Sequence, residues 1–152
     1  PDEATLVPER RKELTTEGGL DCVKYGREIF EVVHKLRQKG IVASLFIDAD
    51  RKQIDAASKT GAEFVELHTG EYANAKDNHG RQAQLKKLVE ATGYAIRSGL
   101  RVNAGHGLNY SNVSAVAKIE GIEELNIGHS IISRAVFVGR DRAVKEMLAL
   151  IR

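Results

Sequence analysis

Short apolar runs alternate along the chain with longer stretches in which apolar residues recur at helical spacing. The runs predict strands at residues 4–7, 41–47, 62–70, 100–105 and 124–128. The spaced residues predict helices over 20–39, over 51–60, from 85 to 98, over 112–119, over 131–138 and from 143 to the C-terminus. A repeated strand and helix order predicts right-handed βαβ units and a parallel sheet of five strands.

Helix ends are marked by glycines and by capping side chains. Gly40, Gly61 and Gly99 stand where the first three long helices stop. Asp50 is expected to cap the second helix, and Gln53, three residues later, has the spacing of a capping box. Asp48 is also interpreted as a capping residue, and residues 71–80 are predicted to form a polar loop.

Polar residues within the predicted strands bear on the choice between two α/β architectures. A doubly wound open sheet and a (β/α)8 TIM barrel both fit the order of elements. Polar positions at Glu66, His68, Asn103 and Asn126 favour a barrel interior, as does a short helix directly after His129. A barrel needs eight strands. We therefore expect residues 1–152 to be the C-terminal part of a single barrel domain, with its first three βα units absent.

Composition narrows the classes of partner and the cellular compartment. The 152 residues carry a net charge of +2, lack tryptophan and show no basic stripe interleaved with aromatic residues, so we expect no nucleic-acid partner. No run is long and apolar enough to cross a membrane. The single cysteine, Cys22, cannot form an internal disulfide, which favours a cytoplasmic protein. Cys22 is either an inert thiol or a thiolate stabilised near a helix start.

Candidate site residues lie at the carboxyl ends of the predicted strands, where βα proteins hold their active sites. His106 stands between Gly105 and Gly107 and is either a turn residue or a general acid or base. Glu66 is either a paired buried carboxylate or a catalytic one. Gly128 and His129, directly before a predicted helix, favour an anion contact in combination with the start of that helix. No histidine or cysteine spacing typical of a metal site is present.

Six sequence blocks, taken together and in order, resemble the pyridoxine 5′-phosphate synthase family of vitamin B6 biosynthesis. They are VPER at 7–10, TTEGGLD at 15–21, SLFID at 44–48, ELHTG at 66–70, NAGHGL at 103–108 and NIGH at 126–129. The resemblance covers essentially the whole chain. It implies a (β/α)8 barrel that condenses 1-deoxy-D-xylulose 5-phosphate with 3-amino-2-oxopropyl phosphate, without a metal or organic cofactor, and that assembles as a homo-oligomer.

The resemblance also assigns roles to individual residues. His106 matches the proton donor of the family, and Glu66 matches a carboxylate that stabilises a transition state. Thr15 and Gly107 would contact the amino-ketone substrate, while Gly128 and His129 would hold a phosphate. The family carries another catalytic histidine, a catalytic glutamate and basic substrate contacts on its first three strands, for which this sequence has no counterpart.

Two other interpretations remain open on the sequence alone. In the first interpretation, the chain is a non-catalytic fragment or a phosphate-binding partial barrel. In the second interpretation, it is a different barrel enzyme that acts on phosphorylated sugars. No lysine stands at a strand end, which argues against a Schiff-base aldolase.

Overall fold

A computed structural model describes residues 1–8 and 18–151 of the chain. Five strands alternate with helices in the order predicted from the sequence. The elements are β1 (Glu3–Leu6), α1 (Cys22–Gln38), β2 (Val42–Ile47), α2 (Arg51–Ser58), β3 (Phe64–His68), α3 (Gly70–Ala73), α4 (Asn78–Arg97), β4 (Arg101–Gly105), α5 (Val113–Ala117), β5 (Ile122–Asn126), α6 (His129–Val138) and α7 (Arg140–Leu150).

The five strands form one parallel sheet in which neighbours in sequence are neighbours in space. The order is β1-β2-β3-β4-β5, and every adjacent pair is parallel. A doubly wound sheet reverses its strand order at a switch point, so the sequential order excludes that architecture for the described strands. Right-handed crossovers that all advance in one direction set the connecting helices on one face of the sheet.

The face covered by the helices is apolar throughout its centre. Its strand residues are all fully buried: Ala43, Leu45, Ile47, Val65, Leu67, Val102 and Ala104. Helices α1, α2 and α4 contribute Val33, Ile54 and Ala95 to the same core, each with no exposed surface. Because successive strand residues point to opposite faces, this row leaves the alternate residues for the other face.

The other face, which we call the polar face, carries charged, polar and aromatic side chains. Strand register sets them in rows across the sheet. Each residue of a row lies beside the next: the first row is Ser44, Phe64 and Arg101, the second Phe46, Glu66 and Asn103, and the third His68, Gly105 and Asn126. The last row lies at the carboxyl edge of the sheet. Among the described residues, the buried Ser44 Oγ and Asn103 Oδ1 have no hydrogen-bond partner.

Charged side chains stand at both edges of the polar face. Glu3 on β1 and Glu124 on β5 belong to opposite edges of the sheet. Burial raises the pKa of Glu3, and the charge of Glu124 raises it further.

Several predicted boundaries and contacts need correction. The fifth strand is Ile122–Asn126 rather than 124–128, and the predicted polar loop over 71–80 contains α3 and the start of α4. Asp50 caps α2 as predicted, by accepting from the amides of Lys52 and Gln53. The predicted capping box is wrong, because the Gln53 side chain does not turn back to the Asp50 amide. It reaches across to α1 and accepts from the Cys22 amide at 2.7 Å. Within residues 1–8 and 18–151, no helix is long and apolar enough to cross a membrane.

Candidate active site

Three aromatic rings meet where β2, β3 and β4 end. The ring centroids of His68 and His106 are 5.0 Å apart, and the rings meet edge to face. Phe46 lies 5.1 Å from His68 and 6.0 Å from His106. The phenyl ring packs beside both imidazoles at this end of the polar face and partly shields them from water.

His106 adopts a backbone conformation that is unusual for a residue with a side chain. Its φ is +79°, in the left-handed region, and it directly follows the last residue of β4. The buried Thr69 holds this turn, since its hydroxyl lies 2.8 Å from the Gly105 carbonyl oxygen and 2.5 Å from that of His106. Strain of this kind persists where the surroundings fix it, and it is typical of functional sites.

The protonation of His106 is set by burial and by its histidine neighbour. Burial lowers the pKa of His106, and the charge of a protonated His68 lowers it further. A neutral imidazole at pH 7 is ready to accept a proton, and the imidazolium that results is a strong donor.

Glu66 is a buried carboxylate beside the histidines. It is 8% exposed, and the side-chain amide of Asn126 donates to its Oε2 at 2.8 Å. Burial raises the pKa of Glu66, although the Asn126 hydrogen bond opposes the shift. Gly105 makes room for the carboxylate, because a Cβ there would lie 2.3 Å from Glu66 Oε1. A carboxyl group with a raised pKa is suited to proton transfer near neutral pH.

Glu66 and His106 open into a cleft of about 460 Å³ between the end of β4 and the start of α6. The other lining residues are Gly107, Leu108, Asn109, Asn126, Ile127, Gly128, His129 and Ser130. His129 is the first residue of α6 and Gly128 precedes it, so the free amides at the start of this helix lie beside the cleft. Ser130 donates to the Leu108 carbonyl at 2.9 Å and fastens α6 to the loop after β4. A helix start in this position is suited to binding an anion.

Gly107 completes the turn after His106. Its φ is +78°, and a Cβ there would lie 2.7 Å from the Cβ of Ala73 in α3. Only glycine combines this backbone conformation with such a close approach. The loop after β4 therefore packs directly on α3, and its backbone is exposed to the cleft.

The interpretation of Asp48 as a helix cap is wrong. Its carboxylate Oδ1 accepts from His68 Nδ1 at 3.1 Å and from the Gly19 amide at 3.0 Å. The sequence held a signal for this pair, since Asp48 follows β2 and His68 ends β3, the adjacent strand. Carboxyl ends of neighbouring parallel strands share one edge.

The structure brings five of the six predicted site residues to one cleft. They are Glu66, His106, Gly107, Gly128 and His129. Thr15, the sixth, lies outside the described residues. Cys22 is buried, which raises the pKa of its thiol to about 11 and leaves it protonated. Across the described ranges, no group of three or more His, Cys, Asp or Glu side chains is arranged to hold a metal ion.

The whole length of the chain matches a known protein family. The model for "Pyridoxal phosphate biosynthesis protein PdxJ" matches residues 1–152, the entire chain. The chain belongs to this family. The PdxJ family match agrees with the resemblance inferred from the six sequence blocks.

Curated relatives of this chain are named pyridoxine 5′-phosphate synthase. One from Thermosynechococcus vestitus is 60% identical over 151 residues, which cover 99% of this chain and 63% of the relative. Another from Pelobacter propionicus is 53% identical over 152 residues, covering 100% of this chain and 64% of the relative. This chain thus spans a little under two thirds of the length of these relatives.

Proposed function

We propose that the complete enzyme to which this chain belongs is a pyridoxine 5′-phosphate synthase. It condenses 1-deoxy-D-xylulose 5-phosphate with 3-amino-2-oxopropyl phosphate to give pyridoxine 5′-phosphate, phosphate and water. The observation that carries the proposal is a single cleft that combines a histidine, His106, and a carboxylate, Glu66, with the amide end of a helix. The family match and the names of the relatives support it.

The chemistry needs several proton transfers. The amine of one substrate attacks the ketone carbon of the other and water leaves, forming a Schiff base. Eliminations and ring closure follow. We assign proton donation to His106, whose lowered pKa makes its imidazolium a ready donor, and transition-state stabilisation to Glu66. Both act from fixed positions, since the Thr69 hydroxyl holds the His106 turn and Asn126 holds the Glu66 carboxylate.

Substrate contacts follow from the backbone around the cleft. Gly128 and His129 bind a substrate phosphate, which the amides at the start of α6 stabilise. Gly107 and Thr15 contact the amino-ketone. At Gly107 the exposed main chain allows a close approach, while the assignment of Thr15 rests on the family resemblance. No metal or organic cofactor enters this proposal.

We also propose that the five strands are the C-terminal part of a (β/α)8 barrel formed by the complete enzyme. Two features support it: the sequential strand order, and the position of β1 and β5 at the two edges of the sheet. Helix α6 adds a third, because Ile132, Val136 and Phe137 are 62%, 79% and 84% exposed. Apolar surface of this kind is suited to cover by the remaining barrel or by another subunit of a homo-oligomer. We place the enzyme in the cytoplasm because the single cysteine of these 152 residues, Cys22, cannot form a disulfide within them.

Product formation by the complete enzyme tests the function. We expect purified protein to make pyridoxine 5′-phosphate from the two substrates, and His106→Asn to lower kcat by about 10²- to 10⁴-fold with a smaller change in KM. His34→Asn is the matched control, since His34 is exposed on α1, where it hydrogen-bonds Gln38. Parental turnover in His106→Asn would refute the role of His106. Phosphate binding without product would instead favour a non-catalytic phosphate-binding protein.

A further inference from the structure

Asp48 and His68 form a hydrogen-bonded pair at the carboxyl edge of the sheet, behind the proposed proton donor. The Asp48 carboxylate lies 3.1 Å from His68 Nδ1, and the side chain of His68 is 9% exposed. Hydrogen bonds from His68 and from the Gly19 amide lower the pKa of Asp48, so this carboxyl group is ionised at neutral pH. An ionised carboxylate only accepts, which fixes the proton of the hydrogen bond on His68 Nδ1.

Several described residues pack around the His68 ring. Asp48 holds Nδ1, and Phe46 packs against the ring at a centroid distance of 5.1 Å. Gly70 lies against the opposite end of the ring, because a Cβ there would be 2.5 Å from Nε2. His106 is a further neighbour, with its ring centroid 5.0 Å from that of His68.

We propose that Asp48 and His68 are positioning residues that fix the ring of His106 through edge-to-face contact. The proposal deepens the proposed function, on which it rests for the role of His106. Asp48 orients His68, and His68 in turn presents one edge of its ring to His106. Neither Asp48 nor His68 lines the cleft into which His106 opens. Both therefore act on the reaction through neighbouring groups: His68 contacts His106, and its charge also lowers the pKa of Glu66.

The pair also governs the charge that His106 meets. The groups around His68 are Asp48 after β2, Glu66 on its own strand and His106 after β4; beyond Asp48 lie Glu71 and Lys87, which are paired at 2.9 Å. A proton on His68 sets a positive charge beside His106 and lowers its pKa, in addition to the effect of burial. Removal of the His68 ring therefore shifts the pKa of His106 upward.

Paired aspartate substitutions in the complete enzyme test the positioning role. We expect Asp48→Asn to lower kcat by about 10- to 100-fold, the scale of loss for a misplaced catalytic group, with KM within about twofold of the parent. Asp50→Asn is the matched control, since Asp50 lies two residues away and caps α2 without contacting His68. Asparagine caps helices as well as aspartate does, so the control should keep parental kcat and thermal stability.

Titration of His106 by NMR tests the pair without relying on turnover. We expect His68→Gln to raise the pKa of His106. We also expect the part of the pH–activity profile that reports the ionisation of His106 to move to higher pH. Glutamine keeps an amide donor for Asp48, so this variant is also the one to examine if Asp48→Asn fails to fold. A parental kcat in Asp48→Asn or a parental His106 titration in His68→Gln would each overturn the proposal. An enzyme that makes no product would refute the proposed function, and the titration would then decide the pair by itself.

Discussion

The two faces of the sheet are built from the same strands, but one face stabilises the fold and the other carries the candidate site. On β3, Val65 and Leu67 are fully buried against the helices, while Glu66 and His68 belong to the polar face. The helix-covered face has apolar strand residues and supplies most of the stability of the fold. The polar face instead buries a carboxylate and two unpartnered polar atoms among the described residues, which costs stability. The period of two along a strand lets one segment serve both purposes.

The largest expected difference between the faces lies in their response to side-chain truncation. Leu67→Ala removes a fully buried side chain from the helix-covered face, so we expect a loss of about 2–5 kcal/mol in the free energy of unfolding. Val89→Ala on α4 is the control, because Val89 is 49% exposed and its truncation should cost less than about 0.5 kcal/mol. Urea unfolding of the complete enzyme measures both. Equal losses would contradict the view that this face carries the stability.

On the polar face, a substitution that harms activity should improve stability. Glu66→Gln keeps an acceptor for Asn126 and removes the buried charge. The folded-state pKa of Glu66 is raised above its ordinary value of 4.5, so the folded protein binds this proton more tightly than the unfolded chain does. Stability from this group is therefore complete below pH 4.5 and is lost as the pH rises through the folded-state pKa.

We therefore expect Glu66→Gln to match the parent at pH 4 and to be more stable than the parent at pH 7. Its kcat should fall, because glutamine neither carries charge nor transfers a proton. Thermal unfolding at the two pH values, together with an activity assay, checks both expectations. A variant that is less stable than the parent at pH 7 would show that the Glu66 charge stabilises the fold. That result would contradict the view that the polar face serves function at a cost in stability.

Local patterns were enough to predict the five strands, their parallel order and the clustering of Glu66 with His106. Strand periodicity and the rule that sites lie at carboxyl ends act over short distances along the sequence. The register of β5 was not predictable in this way, because a bulge between Val102 and Asn103 shifts its pairing with β4. The four-residue helix α3 was missed as well, since it is too short for periodicity to reveal.

Contacts between distant residues were the other limit. Gln53 has the spacing of a capping box, yet its side chain finds the Cys22 amide across the gap between two helices. Asp48 resembles a cap in sequence but pairs with His68 on the next strand. In both cases a tertiary partner competes with the local one, and local spacing does not indicate that partner. For Asp48, only the position of both residues at the ends of adjacent parallel strands pointed to His68.

The smallest expected effect is also the most direct comparison of the faces, because it uses two adjacent residues of β2. Ser44 and Ala43 are both fully buried, on the polar and the helix-covered face respectively. Ser44→Ala removes a hydroxyl that has no partner among the described residues, so we expect a change within about 1 kcal/mol, toward greater stability. Ala43→Ser adds a hydroxyl to apolar surroundings and should cost about 1–3 kcal/mol. Denaturant unfolding of the complete enzyme measures both. A loss above about 1 kcal/mol in the free energy of unfolding of Ser44→Ala would mean that residues beyond the five strands supply a hydrogen-bond partner to Ser44. The polar face of the complete enzyme would then have fewer unpaired polar groups than these five strands show.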